Sequence, residues 1–372
     1  MTNNLMAQGA RLEEFDRVMM QRCLELAKQA WGKTAPNPMV GCVIVRDGEI
    51  VGEGFHPKAG EPHAEVFALQ QAGDHAAGAT LYVNLEPCSH FGKTPPCADA
   101  VVAAKLKRVV VGMVDPNPKV AGGGIAKIRA AGIEVTVGVE ESACQELNEA
   151  FTYRILHQRP FGILKYAMTL DGKIAARTGH SAWVSSAASR AIVHHLRAGC
   201  NAVIVGGNTV RKDNPLLTSR RPNCTPLRVV MSRSLDLPED ANLWNTTIAP
   251  TLVFTQPGSN PELQTKLRQM GVEVEEILPL TPTKVMQQLS DRGFLSVLWE
   301  CGGQLAAQAI VNGSVQKIMA FIAPKIIGGA TAPSPIGDLG LTQMTDAYRL
   351  DRLQWRMIDV DLLVAGYLQP RS

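Results

Sequence analysis

The tightest constraint on this chain is a meeting of three side chains. His63, Cys88 and Cys97 lie far apart in sequence and must converge if they share one metal. One imidazole and two thiols close three corners of a tetrahedral zinc site and leave the fourth for water. Glu65, two residues from the imidazole, can move protons for that water without binding the metal. These are the parts of a hydrolytic deaminase acting on an amino-substituted ring. Taken singly, each has a bland explanation: a histidine is usually a core or surface residue, and a cytosolic cysteine a buried small hydrophobe.

Local sequence favours the convergence. Glu61-Pro62-His63 opens the apolar-periodic run Ala64, Val66-Phe67-Ala68-Leu69, which predicts a helix starting at His63. Cys97 opens a second such run, 98–104, and a helix N-terminus favours the thiolate that zinc needs. Cys88 follows the strand-like run 80–84. Eight residues separate Cys88 from Cys97, where the common signature of zinc deaminases has two. That loop carries His90, Lys93 and Thr94, which can close the site or contact an anionic substrate. His90 is a rival ligand; Cys97 is favoured because it has the helix start.

The chain has 372 residues, enough for two domains with separate cores. A formal net charge of +3 is too weak to argue for nucleic acid or membrane partners. The N-terminus lacks a basic-plus-apolar signal, and no apolar run approaches the roughly 20 residues of a membrane span. Eight scattered cysteines suit a reducing compartment better than a disulfide framework. A cytoplasmic two-domain enzyme is therefore expected.

The first half alternates strands and helices. A helix is predicted over 11–31, then two strands flanking Asp47-Gly48, a strong hairpin signal. Beyond the zinc helices come a strand over 108–114, a helix over 123–131 and a strand over 133–137. Gly122-Gly123-Gly124 reads as a loop, and 141–158 as one polar helix running into Arg159-Pro160. In the second half, strands are predicted at 161–168, 202–205, 227–231, 252–255, 272–276, 295–299 and 318–322. Helices are predicted at 186–198, 282–292 and 304–312, with closing antiparallel strands at 354–357 and 360–366. Gly206-Gly207 and Gly302-Gly303 each follow a predicted strand, so a phosphate can approach their amides. Neither is a G-x-G-x-x-G fingerprint, and Gly92-Lys93-Thr94 lacks the earlier glycine of a P-loop.

Along nearly its full length the chain resembles the bifunctional riboflavin-biosynthesis deaminase/reductases. The resemblance rests on Pro36-Asn37-Pro38-Met39-Val40-Gly41, Gly52-Glu53-Gly54-Phe55-His56, Pro62-His63-Ala64-Glu65 and Leu85-Glu86-Pro87-Cys88-Ser89-His90. The long loop ending Gly92-Lys93-Thr94-Pro95-Pro96-Cys97 matches that family and not cytidine or tRNA-adenosine deaminases. Further on, the matching stretches are Lys165-Tyr166-Ala167-Met168-Thr169-Leu170-Asp171-Gly172-Lys173, Thr209-Val210-Arg211-Lys212-Asp213-Asn214-Pro215 and Trp299-Glu300-Cys301-Gly302-Gly303.

The resemblance implies an α/β chain. Residues 1–152 would form a cytidine-deaminase-like zinc domain, and residues 153–372 a dihydrofolate-reductase-like NADPH domain. It implies zinc on His63, Cys88 and Cys97 with Glu65 as the catalytic acid–base, and Asn37 reading the ring's edge. Ala167, Trp183, Thr209, Asp213 and the stretch from Gly302 and Gly303 would line the NADPH site. Lys165, Ser181, Arg197, Leu217, Arg220 and Glu300 would hold a phosphoribosyl pyrimidine, with Arg197 and Arg220 on its phosphate. His56 would touch the substrate or stabilise a loop, as would Lys93, and the chain would form a homodimer or tetramer. One position departs from the family. Where Asp-Ser-Arg is usual, this chain has Ser232-Arg233-Ser234, so Arg233 replaces a cofactor-contacting serine and is expected to pair with the 2′-phosphate of NADPH. Two rivals stay open: a zinc deaminase acting on a nucleobase or tRNA, and a structural zinc module on a metabolite-binding domain.

Overall fold

The computed structural model describes residues 2–89, 96–222 and 224–369, with side chains from residue 10 onward. His90, Lys93 and Thr94 lie outside the described residues. The chain divides into two compact units, Met1–Gln158 and Arg159–Ser372.

The first unit is a sheet of five described strands between two layers of helices. The strands are β1 (Gly41–Arg46), β2 (Glu49–Phe55), β3 (Thr80–Leu85), β4 (Arg108–Met113) and β5 (Glu134–Val137), in the order β2-β1-β3-β4-β5. The β1–β2 hairpin turns at Asp47 and Gly48, both with positive φ, as the sequence signal requires. Period-two alternation sorts side chains between the two faces. Cys42, Ile44, Leu81, Val83, Val109 and Val111 pack against α2 (Ala64–Ala72), α3 (Cys97–Ala103) and α4 (Gly123–Ala130). Val43, Val45, Tyr82 and Val110 pack against α1 (Thr2–Lys28) and α5 (Glu141–Leu147).

Two sequence expectations need correction here. The polar helix over 141–158 is broken at Asn148, between α5 and α6 (Glu149–His157). Asn148 is buried, and its amide bonds both backbone groups of Met39, at 2.8 and 3.0 Å. That pairing holds Asn148 at φ −107°, outside helical geometry. The second correction concerns the glycine triplet, expected as a loop. Gly122 is a left-handed cap, but Gly123 and Gly124 are already the first turn of α4, where the helix predicted over 123–131 begins.

The second unit is built on a mixed sheet of nine described strands. These are β6 (Phe161–Thr169), β7 (Ala202–Gly206), β8 (Leu227–Met231), β9 (Thr251–Thr255), β10 (Glu273–Glu276), β11 (Ser296–Trp299), β12 (Lys317–Ala323), β13 (Leu350–Ile358) and β14 (Asp361–Leu368). Their order is β10-β9-β8-β7-β11-β6-β12-β14-β13. Strands β10 to β12 run parallel, and β14 and β13 add an antiparallel hairpin at one edge. The core of Ile204, Val229, Phe254, Val297 and Trp299 is covered by α10 (Pro282–Asp291) and α11 (Gly303–Val311). Helix α7 (Ala187–Gly199) adds Val193 to a smaller cluster with Phe321 and Leu363. Two helices escaped the sequence reading: α8 (Gly207–Asp213) and α9 (Pro261–Gln269).

Candidate functional site

The first site grows out of two helix starts and one strand exit. His63 is the N-cap of α2, with extended backbone and no side-chain capping bond, so its imidazole is available for another task. Cys97 is the first residue of α3, and Cys88 lies three residues beyond the end of β3. Helix α2 reaches its place because Gly52 and Gly54 present no side chain to it. A Cβ on Gly54 would stand 2.4 Å from the Ala64 carbonyl oxygen, and one on Gly52 2.2 Å from that of Ala68. The Ala98 amide donates to the Cys88 carbonyl at 3.1 Å and docks α3 against the strand exit.

These elements bring the three sequence-predicted ligands together. His63 Nδ1 is 3.1 Å from Cys97 Sγ and 3.6 Å from Cys88 Sγ. Among the described residues they form the one His/Cys/Asp/Glu group whose ligand atoms all lie within 4.8 Å of one another. Zinc bonds of about 2.3 Å to sulfur and 2.0 Å to nitrogen at tetrahedral angles put ligand atoms roughly 3.5–3.8 Å apart, so the donor set fits that ion. Hydrogen bonds from the Cys97 thiol and backbone amide and from His63 hold the Cys88 thiol well below its ordinary value.

Glu65, one residue into α2, is 3% exposed, and its Oε2 has no hydrogen-bond partner among the described residues. Burial pushes its carboxyl above the ordinary carboxylate value. An unpartnered buried carboxylate oxygen is costly unless something else uses it. Asn37 sits in a turn, its amide N–H bonded to Thr34 O, with its side-chain Nδ2 3.0 Å from His56 Nε2. His56 Nδ1 faces the Pro62 carbonyl at 3.0 Å, which can only accept. Hydrogen bonding therefore assigns the proton to Nδ1, leaving Nε2 to receive Asn37. Burial lowers the pKa of His56 and keeps it neutral. His56 also packs edge-on against His63, with ring centroids 5.4 Å apart.

In the second unit, strand register explains an ion cluster. Trp299, the last residue of β11, pairs with Leu164 on β6, so the next residues, Glu300 and Lys165, are neighbours. Lys165 Nζ lies 3.5 Å from Glu300 Oε2. Arg197, from the end of α7, grips the same carboxylate through Nε at 2.5 Å and Nη2 at 3.0 Å. Burial alone would raise the Glu300 carboxyl, but Arg197 and Lys165 outweigh it and hold it at about 2. A third bond runs from Arg197 Nη1 to Thr218 O at 3.2 Å, beside the buried Leu217. Of five guanidinium N–H groups, two remain for an anion. Arg220 is exposed.

A cavity of about 640 Å³ runs along the glycine pairs that follow β7 and β11, Gly206-Gly207 and Gly302-Gly303; Lys165, Arg197 and Glu300 are not in its lining. Of the residues expected at the cofactor, Thr209, Asp213, Arg233, Gly302 and Gly303 line it. Ser181, expected at the substrate, lines the same cavity and donates to Asp213 Oδ1 at 3.0 Å. Ala167 and Trp183 are not in that lining. Ala167 packs against the Phe321 cluster, and Trp183 is 69% exposed beneath Arg190, whose guanidinium carbon is 4.5 Å from the ring centre. The sequence reading missed Arg211 and Lys212 as cavity residues although they stood inside a quoted motif. Arg211 is held by Asn208 and the Asp236 carbonyl. The size suits a small-molecule site, and with Arg211, Lys212 and Arg233 on its wall the cavity fits a polyanionic dinucleotide.

Each half of the chain has counterparts among known proteins. Residues 13–113 match the cytidine and deoxycytidylate deaminase zinc-binding region, and residues 160–364 match the RibD C-terminal domain. The chain is 60% identical to the riboflavin biosynthesis protein RibD of Synechocystis over 354 residues, covering 95% of this chain and 96% of that protein. Its structure is similar to that of RibD from Acinetobacter baumannii, with a TM-score of 0.85 and 39% identity over 96% of this chain and all of that one. It is similar too to a Thermotoga maritima diaminohydroxyphosphoribosylaminopyrimidine deaminase/5-amino-6-(5-phosphoribosylamino)uracil reductase, with a TM-score of 0.84 and 35% identity over 96% of this chain and 99% of that one. The chain belongs to the RibD family of bifunctional riboflavin-biosynthesis enzymes, in which a zinc-binding deaminase domain precedes a reductase domain.

Proposed function

We propose that this chain catalyses two consecutive steps on one phosphoribosyl pyrimidine. The first is hydrolysis of the 2-amino group of 2,5-diamino-6-ribosylamino-4(3H)-pyrimidinone 5′-phosphate, with release of ammonia. The second is NADPH-dependent reduction of the ribosyl group to ribityl, giving 5-amino-6-ribitylaminouracil 5′-phosphate. The observation that carries the reading is the open carboxylate oxygen of Glu65 beside the His63–Cys88–Cys97 triangle. A purely structural metal site has no use for such a group.

When bound, zinc supplies the Lewis acidity that makes water a usable nucleophile near neutral pH. Glu65 would take one proton from the attacking water and pass it to the ring nitrogen. It would then take the second from the newly added hydroxyl group and give it to the leaving amine, so that the carbonyl forms as ammonia departs. Asn37, its amide oriented by His56, is placed to read the ring's edge. In the second step NADPH supplies hydride. Lys165 and Glu300 hold charge at the accepting carbon, Ser181 and Leu217 shape the pocket, and the free N–H groups of Arg197, with Arg220, face the phosphate. Thr209, Asp213, Gly302 and Gly303, which line the cavity, would hold the dinucleotide and Arg233 its 2′-phosphate; the resemblance alone assigns Ala167 and Trp183, which lie outside that lining, to the same cofactor. We assign the deaminase function to residues 1–152 and the reductase function to residues 153–372.

No described helix is long and apolar enough to cross a membrane. A site built from one imidazole and two thiols, those of His63, Cys88 and Cys97, supports a reducing, cytoplasmic setting. Near-neutral charge supports a small-molecule substrate over nucleic acid. Leu353, Trp355 and Met357 stand exposed at alternate positions of the outermost strand β13, which supports a homo-oligomer. The two-step reading is tested by supplying the diamino-pyrimidinone phosphate with and without NADPH. Ammonia and the deaminated ribosyl compound are expected without the cofactor, and the ribityl compound with it. Ammonia release from cytidine or an adenosine-containing tRNA, and none from the pyrimidinone, would overturn it.

A further inference from the structure

Glu86 is a buried carboxylate that neither reaction step uses. It stands one residue beyond β3 and two before Cys88, and it is 5% exposed. Four backbone N–H groups converge on it. Oε2 accepts from Asp115 at 3.1 Å and Gly122 at 2.9 Å. Oε1 accepts from Gly124 at 2.9 Å and Ile125 at 3.1 Å. Three of these donors belong to the start of α4, whose own N-cap residue is a glycine with no side chain to offer. The glycine triplet is thus an anion-binding turn already filled by a carboxylate of the same chain.

The same turn lies hard against the segment that carries Cys88. A Cβ on Gly124 would stand 2.0 Å from the Pro87 carbonyl oxygen, and one on Gly123 2.7 Å from Ser89 Oγ. Only glycine lets α4 begin there. On its other side Cys88 is fixed by α3: its carbonyl accepts from the Ala98 amide at 3.1 Å and its Sγ from the Cys97 amide at 3.3 Å. Cys88 is therefore clamped between two helix starts, directly by α3 and by way of Glu86 and the glycine turn by α4.

We propose that Glu86 is a positioning residue for the metal ligand Cys88: its carboxylate locks the strand exit onto the start of α4 and fixes where the thiolate points. An amide of the same shape would break the lock. A glutamine keeps one acceptor oxygen and turns an NH₂ group toward two of the four donors, so Pro87 and Cys88 must shift. The inference rests on the zinc reading of the site, and its test separates the two.

The test measures zinc affinity of the full-length chain by competition with a chromophoric chelator, together with the visible spectrum of the cobalt(II)-substituted protein. Circular dichroism checks that each variant folds. Glu86→Gln is expected to weaken zinc binding roughly 10- to 100-fold, the usual effect of losing a ligand's supporting partner, and to change the cobalt ligand-field bands. Gly124→Ala, which retains the Glu86 carboxylate but puts a methyl group 2.0 Å from the Pro87 carbonyl oxygen and 3.3 Å from Glu86 Oε1, is expected to weaken binding in the same direction. It decides the matter alone if Glu86→Gln does not fold. Wild-type zinc affinity and an unchanged cobalt spectrum in the folded variants would overturn the proposal, even if thermal stability fell, because Glu86 would then be only a helix cap. If the wild type itself binds no zinc, the zinc reading fails with it.

Discussion

Glu65 is a buried carboxylate and Glu300 a largely enclosed one, yet their surroundings set them opposite tasks. Glu65 has an open oxygen, and burial outweighs the pull of nearby His63 and raises its carboxyl, which suits a group that takes up and releases protons. Glu65→Gln is expected to keep zinc, because the carboxylate is no ligand, and to slow ammonia release by about 10²- to 10⁴-fold. Metal content by atomic absorption beside an ammonia assay checks both halves, and activity surviving the change would sink the mechanism. Glu300 is pinned by Arg197 and Lys165, and its folded-state value lies near 2, below the ordinary 4.5. A depressed carboxylate stabilises the fold above its unfolded value, so this contribution is present above pH 4.5 and is lost as pH falls toward 2. Acid titration followed by near-ultraviolet circular dichroism is expected to show a steeper loss in the wild type than in Glu300→Gln; parallel curves would clear the cluster of that role. Arg233→Ala is expected to raise the Michaelis constant for NADPH more than that for NADH. Equal effects would remove Arg233 from the 2′-phosphate.

At the scale of elements, helix starts carry most of the site. His63, Cys97 and Gly303 each stand where a helix begins, and each start was legible because an apolar-periodic run follows it. The unread elements lacked that signal. Helix α9 buries only Leu263, Gln264 and Leu267, and its markers are an Asn260 cap and Pro261 at the first turn. Helix α8 is a seven-residue turn opening on a glycine, too short for a helical period to show. The break at Asn148 was invisible for another reason: its partner, Met39, is 109 residues away. Packing of α2 on β2 rests on Gly54, where a methyl group would meet a backbone carbonyl that cannot swing aside. Gly54→Ala is expected to cost about 1–3 kcal/mol, as overpacking does, and to weaken zinc binding by displacing His63. Chemical denaturation and the chelator competition assay read the two effects, and wild-type values in both would remove Gly54 from this role.

For the whole molecule, the two sites belong to separate compact units with separate cores. Removing zinc is therefore expected to abolish deamination and leave NADPH oxidation with the deaminated intermediate largely intact. If both activities vanish together without unfolding, the two-site account is wrong. The sequence by itself singled out the candidate metal ligands His63, Cys88 and Cys97, the carboxylate of Glu65 beside them, and the alternation of strands and helices. Each depends on residue type and short-range spacing, which the chain states directly. Only the tertiary structure decided that Glu86 fills the glycine turn, that Arg197 commits two of its donors to Glu300, and that Ser181 bonds Asp213. Those are contacts between residues 32 to 103 positions apart, set by strand register and helix packing, and no local pattern records them.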